Sequence, residues 1–149
     1  MSNNIIFKNK IIKLFLIIML LTSLCTLTGC KFFSKEATKT KTILIDFLGY
    51  LKEDNIEEAS KLFHPDSSMP ETLNSILSVL ENQNNISFND EIVIGECIDF
   101  EITAYNGQYK GKTCKLVFNA TTNNKTIEIY IFTVDNKNGY GIYDFSIHK

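Results

Sequence analysis

The chain has no tryptophan, no arginine and only 2 prolines in 149 residues, and all 15 of its basic residues are lysines. Each scarcity closes off a class of function. Without arginine there is no planar fork to grip phosphate at two points, and a net charge of -2 lacks the basic excess of a nucleic-acid-binding surface. No nucleic acid is expected as a partner. With 7 glycines the chain is neither collagen-like nor a low-complexity linker, and its 4 cysteines are too few for a disulfide scaffold. It contains no glycine-rich phosphate loop, calcium loop or metalloprotease helix. What is present, 44% hydrophobic and 21% charged residues, suits one packed domain.

Lys8, Lys10 and Lys13 precede an apolar run from Leu14 to Leu24 broken only by Thr22 and Ser23. A basic segment followed by a greasy one too short to span a bilayer is the pattern of an export signal. The run ends at Leu27-Thr28-Gly29-Cys30, which resembles the lipobox of bacterial lipoproteins. That resemblance implies cleavage between Gly29 and Cys30 and a thioether-linked diacylglycerol on Cys30, the only prosthetic group expected. Residues 1–29 then form the signal peptide, 30–36 a lipidated tether and 37–149 the folded domain. Two acyl chains suffice for stable anchoring, at roughly 0.8 kcal/mol per buried methylene. The expected location is the extracytoplasmic face of the cell membrane, with membrane lipid as the first partner. Loss of the three signal lysines lowers the net charge from -2 to -5, and the remaining charge is uneven. Lys31, Lys35, Lys39 and Lys41 face only Glu36, either to meet anionic headgroups or simply as a solvated linker.

Beyond the tether, Ile43, Leu44, Phe47, Leu48, Tyr50 and Leu51 recur at helical intervals and predict a first helix over 37–53. Asp54 with Glu57 reads as a capping box opening a second helix, which His64-Pro65 stops. Ser68-Met69-Pro70-Glu71 starts a third, with Leu73, Ile76, Leu77 and Leu80 on one side.

The period then changes to 2. Ile92, Ile94, Ile98, Phe100, Ile102 and Ala104 fall on one side of a strand, with Asp99, Glu101 and Thr103 on the other. Further strands follow over 112–121, 125–134 and 140–148. A two-residue turn at Asn123-Asn124 sets Ala120 opposite Ile127, Phe118 opposite Ile129 and Leu116 opposite Ile131. A five-residue loop from Asp135 to Gly139 sets Ile131 opposite Tyr143, Ile129 opposite Phe145 and Ile127 opposite Ile147. Around Asn106-Gly107 an odd loop or a bulge is required. The expected fold class is α+β, three helices covering a curved four-stranded antiparallel sheet. Val117, Tyr130, Phe132, Val134, Tyr140 and Ile142 fall on the second face of that sheet, where they would meet a second protomer or a protein partner, or lie under the amino-terminal segment.

The helical pair carrying Ile45-Asp46-Phe47-Leu48 and Glu58-Ala59-Ser60-Lys61-Leu62-Phe63, with the closing strand Asn138-Gly139-Tyr140-Gly141-Ile142-Tyr143, resembles small nuclear transport factor 2-like (cystatin-like) lipoproteins of Gram-positive bacteria. The resemblance implies a cone with a pocket between sheet and helices, and brings no catalytic residue with it.

Glu96 and Tyr143 fall on the core register beside Phe100 and Phe118, so these four are the candidate pocket residues, for a small apolar ligand or, as the resemblance implies, for isomerase or dehydratase chemistry with Glu96 as base. The competing reading turns Glu96 outward at a bulge on Gly95. Neither His64 nor His148 sits in a nucleophile motif, and no catalytic set or metal site is identified. Strand parity points Cys97 and Cys114 to opposite sides, so a disulfide would need an intervening bulge; the alternative is one buried and one exposed thiol. The sequence therefore predicts a non-catalytic, lipid-anchored binding domain, with a pocket enzyme or an inhibitor- or immunity-type interaction protein as alternatives.

Overall fold

The computed structural model describes residues 34–149. The signal segment, the Gly29–Cys30 cleavage site and most of the tether lie outside the described residues.

Helix α1 spans Lys35–Lys52 and buries Ala37, Thr40, Leu44, Phe47, Leu48 and Leu51, a single stripe at helical spacing. It ends in a Schellman motif: the Asn55 amide donates to the Tyr50 carbonyl (2.9 Å) and the Asp54 amide to that of Leu51 (3.0 Å), with Asp54 at a left-handed φ of 55°. That geometry uses Asp54 to close the first helix, so it cannot cap the second. Asn55 caps helix α2, Ile56–Lys61, accepting from the Glu58 amide at 3.3 Å, which corrects the expected capping box by one residue. Helix α3, Met69–Asn84, follows Ser68 and runs one turn beyond Leu80 before Asn85 takes a left-handed φ of 51°.

Strands β1 (Val93–Asn106), β2 (Gly111–Thr122), β3 (Lys125–Asn136) and β4 (Gly139–His148) form one antiparallel sheet in that order. The α+β class with three helices and four strands is as the sequence predicts. The β2–β3 register matches too: Leu116, Phe118 and Ala120 face Ile131, Ile129 and Ile127 across a turn in which Asn123 and Asn124 both hold positive φ. An Asn-Asn pair suits such a turn because asparagine tolerates the left-handed region.

The β3–β4 hairpin departs from expectation. Asn136 pairs with Gly139, leaving only two residues in the turn, and Gly139 accepts a φ of 139° that a side chain would resist. The pairing slips by one residue as far as Thr133–Ile142 and by two beyond it, so Ile131 faces Phe145 and Ile129 faces Ile147. A bulge then opposes Tyr143 to no residue, between the Thr133–Ile142 and Phe132–Asp144 pairs. One extra residue reverses side-chain direction. Ile142 enters the core and Tyr140 reaches Thr40 on α1, while Tyr143 leaves the core side and packs on Phe132 at 6.2 Å.

Helix α1 packs on β2 and β3, and α3 packs on β4. Between them lie Leu116, Phe118, Ile127, Ile129, Ile131, Phe145 and Ile147, all buried, with Phe47 packed edge-on against Phe63 (5.5 Å) and Phe145 (5.0 Å). Residues after α2 run along the free edge of β4. The Ile142 amide donates to the Leu62 carbonyl (2.9 Å), and the His64 amide donates to the Ile142 carbonyl (2.7 Å). Gly141 permits this approach, since any Cβ there would overlap the His64 backbone nitrogen.

The two phenylalanines that alternate with the core tell the layers apart. Phe47 is fully buried, whereas Phe100 is 68% exposed. Phe47→Ala should lower unfolding free energy by about 3–5 kcal/mol, and Phe100→Ala by less than about 0.5 kcal/mol, in urea titrations of the two variants. Equal losses would mean that β1 is covered.

Candidate functional site

The four candidate pocket residues do not share a cavity. Phe118 is fully buried core, and Tyr143 is on the outer sheet face for the reason given above. Glu96 is exposed at a register break between Ile94 and Cys97, so the Gly95 bulge turns it to solvent. Phe100 shares the inward side with Leu116 but lies beyond the helices. The desolvated base required by isomerase-type chemistry is thus not supplied by Glu96.

Two other surfaces emerge. The first is the inner side of β1. By register Ile94, Cys97, Phe100 and Ile102 face the same way as the β2 core residues. Ile94, Cys97 and Ile102 are half-buried against the core, whereas Phe100 is open and Ile98, the extra residue of a second bulge, is 46% exposed. Ile45 on α1 is likewise half-exposed. It walls a cleft of about 380 Å³ between α1 and the start of β1, with Lys41, Leu48, Asp90, Ile92 and Ile94. β1 is also an edge strand, so among the described residues its outward backbone groups have no neighbouring strand. Five carboxylates accompany it, Asp90, Glu91, Glu96, Asp99 and Glu101, and no lysine occurs between Glu81 and Lys110.

The second surface is a groove of about 500 Å³ on the outer sheet face. Its floor is Tyr130 and Phe132 of β3, and the β1–β2 loop folds Tyr109 back to within 5.2 Å of Phe132 and 4.9 Å of Tyr143. The Asn136 side-chain amide holds this loop by donating to the Tyr109 carbonyl at 2.8 Å. Glu101, Lys115 and Asp144 are the charged residues of its lining. Lys115 pairs with Asp99 at 3.0 Å, which raises its pKa above the ordinary lysine range. Burial, with Asp144 adding to it, raises the Tyr130 phenol. The expected apolar outer patch is therefore smaller than the sequence implies: Tyr140 and Ile142 are on the helix side, Val134 is buried, and Val117, Tyr130 and Phe132 remain partly open.

His64 is buried as a structural member. Its Nδ1 accepts from the Asp66 amide (3.0 Å), which leaves Nε2 to carry the proton toward Asn136 Oδ1 (3.1 Å). Both ring nitrogens are occupied, Nδ1 within the α2–α3 segment and Nε2 in joining that segment to the β3–β4 turn. Asp66 accepts from Asn138 and Asn136 on the same turn, and these hydrogen bonds lower its pKa. His148 is exposed near the Ser146 hydroxyl. Sequence reasoning missed this joint because its partners lie about seventy residues apart; Asn136 and Asn138 around a turn were the available signal.

Cys97 and Cys114 are free thiols. A bulge does bring Cys97 to the inner side, correcting the expected parity, but opposite Phe118, whereas Cys114 pairs with Ile102 further along β1. Among the described residues no group of His, Cys, Asp and Glu is arranged to hold a metal. No family model matches the chain, and neither curated proteins nor solved structures show a significant match to it.

Burial raises the pKa of both thiols. The folded chain therefore retains these protons to higher pH than the unfolded chain. This contribution to stability is complete below the unfolded thiol pKa and declines as pH rises toward the folded value. At mildly alkaline pH, iodoacetamide should modify Cys114 slowest, half-buried Cys97 faster, and both at full rate only in denaturant, as followed by peptide mass spectrometry.

Proposed function

We propose that the protein is a lipid-anchored extracytoplasmic binding domain of the nuclear transport factor 2-like kind, held at the membrane through Cys30, that captures a partner protein on the inner side and free edge of β1 without catalysis. The observation that carries the binding reading is the exposed apolar strip on a strand at the sheet edge, paired on one side only among the described residues, with Phe100 at 68% exposure. An apolar edge of this kind is ordinarily blunted or covered. An extended segment adding to β1 would use main-chain hydrogen bonds for affinity and place alternate side chains against Phe100 and Ile98. The strand's carboxylates favour a segment bearing lysine or arginine. A second copy of β1 would set carboxylates against carboxylates.

Charge distribution supports the anchored orientation. Lys112 reaches Glu36 on α1 (3.3 Å) and Lys39 reaches Asp135 (3.2 Å), so the start of α1 lies beside the β1–β2 and β3–β4 turns. Lys35, Lys39, Lys110, Lys112 and Lys137 gather at this end with Glu36, Asp66 and Asp135. Only four residues lie between Cys30 and Lys35, at most about 18 Å of extended chain, so this lysine-bearing end would face anionic headgroups. The α1–β1 cleft favours a second reading, a small apolar ligand lodged between Ile45, Ile92 and Ile94.

Labelled palmitate should enter the wild-type protein and not Cys30→Ala, which should also leave the membrane fraction. A fluorescent peptide of alternating lysine and valine should bind the full chain in zwitterionic micelles, and Phe100→Lys should weaken it by about tenfold or more. Binding unaffected by Phe100→Lys would remove β1 as the docking surface; displacement by a fatty acid in the cleft would favour the second reading.

A further inference from the structure

We propose that the groove on the outer sheet face binds a linear organic diammonium ion, with Glu101 and Asp144 receiving its two ends. Glu101, Lys115, Phe132 and Asp144 form one continuous row across all four strands, each directly opposite the next. At about 4.8 Å between strands, the end residues of this row are about 14 Å apart. The side chains lean over an aromatic floor of Phe132 and Tyr130, walled by Tyr109 and Tyr143. Methylenes pack on such a floor, and ammonium groups are attracted to the faces of its rings.

Charge decides the class of ligand. Glu101 and Asp144 against Lys115 leave the groove lining at -1, and Asp99, which engages Lys115 from beside the groove, brings the local charge to -2. Among the described residues neither Glu101 nor Asp144 takes part in an ion pair, whereas Lys115 is engaged by Asp99 and lies 5.8 Å from the Tyr130 ring. An anion would meet two unpaired carboxylates. A neutral apolar ligand would strip water from them without replacing it. Because the one lysine stands at the middle of the row, the central part of the ligand is uncharged, and its positive groups are at the two ends. The Asp144 carboxylate is also held in place, since its Oδ1 accepts from the Phe145 amide at 2.9 Å. This site uses neither Cys30 nor the inner side of β1, so it stands or falls apart from the anchoring and partner-capture reading.

The test is isothermal titration of the full chain in zwitterionic micelles with octamethylenediamine, against suberate, the dianion of the same chain length, and propylamine, which has one charged end. The diamine should bind saturably and more tightly than propylamine, and suberate should not bind. Glu101→Gln and Asp144→Asn should each weaken the diamine about three- to tenfold, as expected for one lost charge-assisted contact. Both positions are exposed, so circular dichroism should remain that of the wild type. Glu57→Gln on α2, outside the groove, should leave binding unchanged, as should Cys30→Ala. The proposal is overturned if the diamine does not saturate, if propylamine or suberate binds as tightly, or if Glu57→Gln weakens binding as much as the groove variants do.

Discussion

A helix layer narrower than the sheet it covers is the constraint from which the rest of the molecule follows. Helix α1 seats on β2 and β3, α3 seats on β4, and among the described residues nothing comparable sits on β1. The hydrophobic stripe of α1 is satisfied by Leu116, Phe118, Ile129 and Ile131, and the same strands are closed by Phe47 and Phe145. Burying those side chains is worth on the order of 2 kcal/mol each, enough to fix the helices where they are. Phe100 and Ile98 of β1 are left to meet solvent or a partner, which makes the edge strand the natural place to look for function.

Single-residue insertions in the strands then decide which side chains each surface carries. On β4 one bulge exchanges Tyr143 for Ile142: the isoleucine completes the core and the tyrosine becomes a wall of the outer groove. On β1 one bulge expels Glu96 and a second displaces Ile98. The groove further depends on the β1–β2 loop returning Tyr109 over Phe132, and that loop is held by Asn136, the same side chain that His64 meets. The His64 joint thus connects the segment after α2, the β3–β4 turn and the groove wall through a few hydrogen bonds.

Much of this architecture could be read from the chain, for identifiable reasons. Helical stripes such as Leu44, Phe47 and Leu51 are long and strongly periodic, and the Asn123-Asn124 turn leaves one sensible register for Leu116, Phe118 and Ala120. The β3–β4 register was not legible, because it depends on Gly139 closing the turn early and on a bulge that no local pattern announces. Alternation along β1 revealed an apolar side, but alternation reports which residues share a side, never whether a helix lies over it. Phe100 is the clearest instance. The candidate pocket failed for two reasons: bulges turn Glu96 and Tyr143 off the core side, and Phe100 shares that side with buried Phe118 yet stays exposed.

Anchoring and partner capture fit together physically if the lysine-bearing end faces the bilayer, since the acidic edge of β1 then stays available to a cationic segment. The account stands on β1 being uncovered in the free protein. Native-state hydrogen exchange of the full chain, resolved strand by strand, tests that most directly. The β1 amides that point away from β2 should exchange rapidly while those of β2 and β3 remain protected. Protection along the free edge of β1 equal to that of β3 would mean that the strand already has a cover, and would contradict the account.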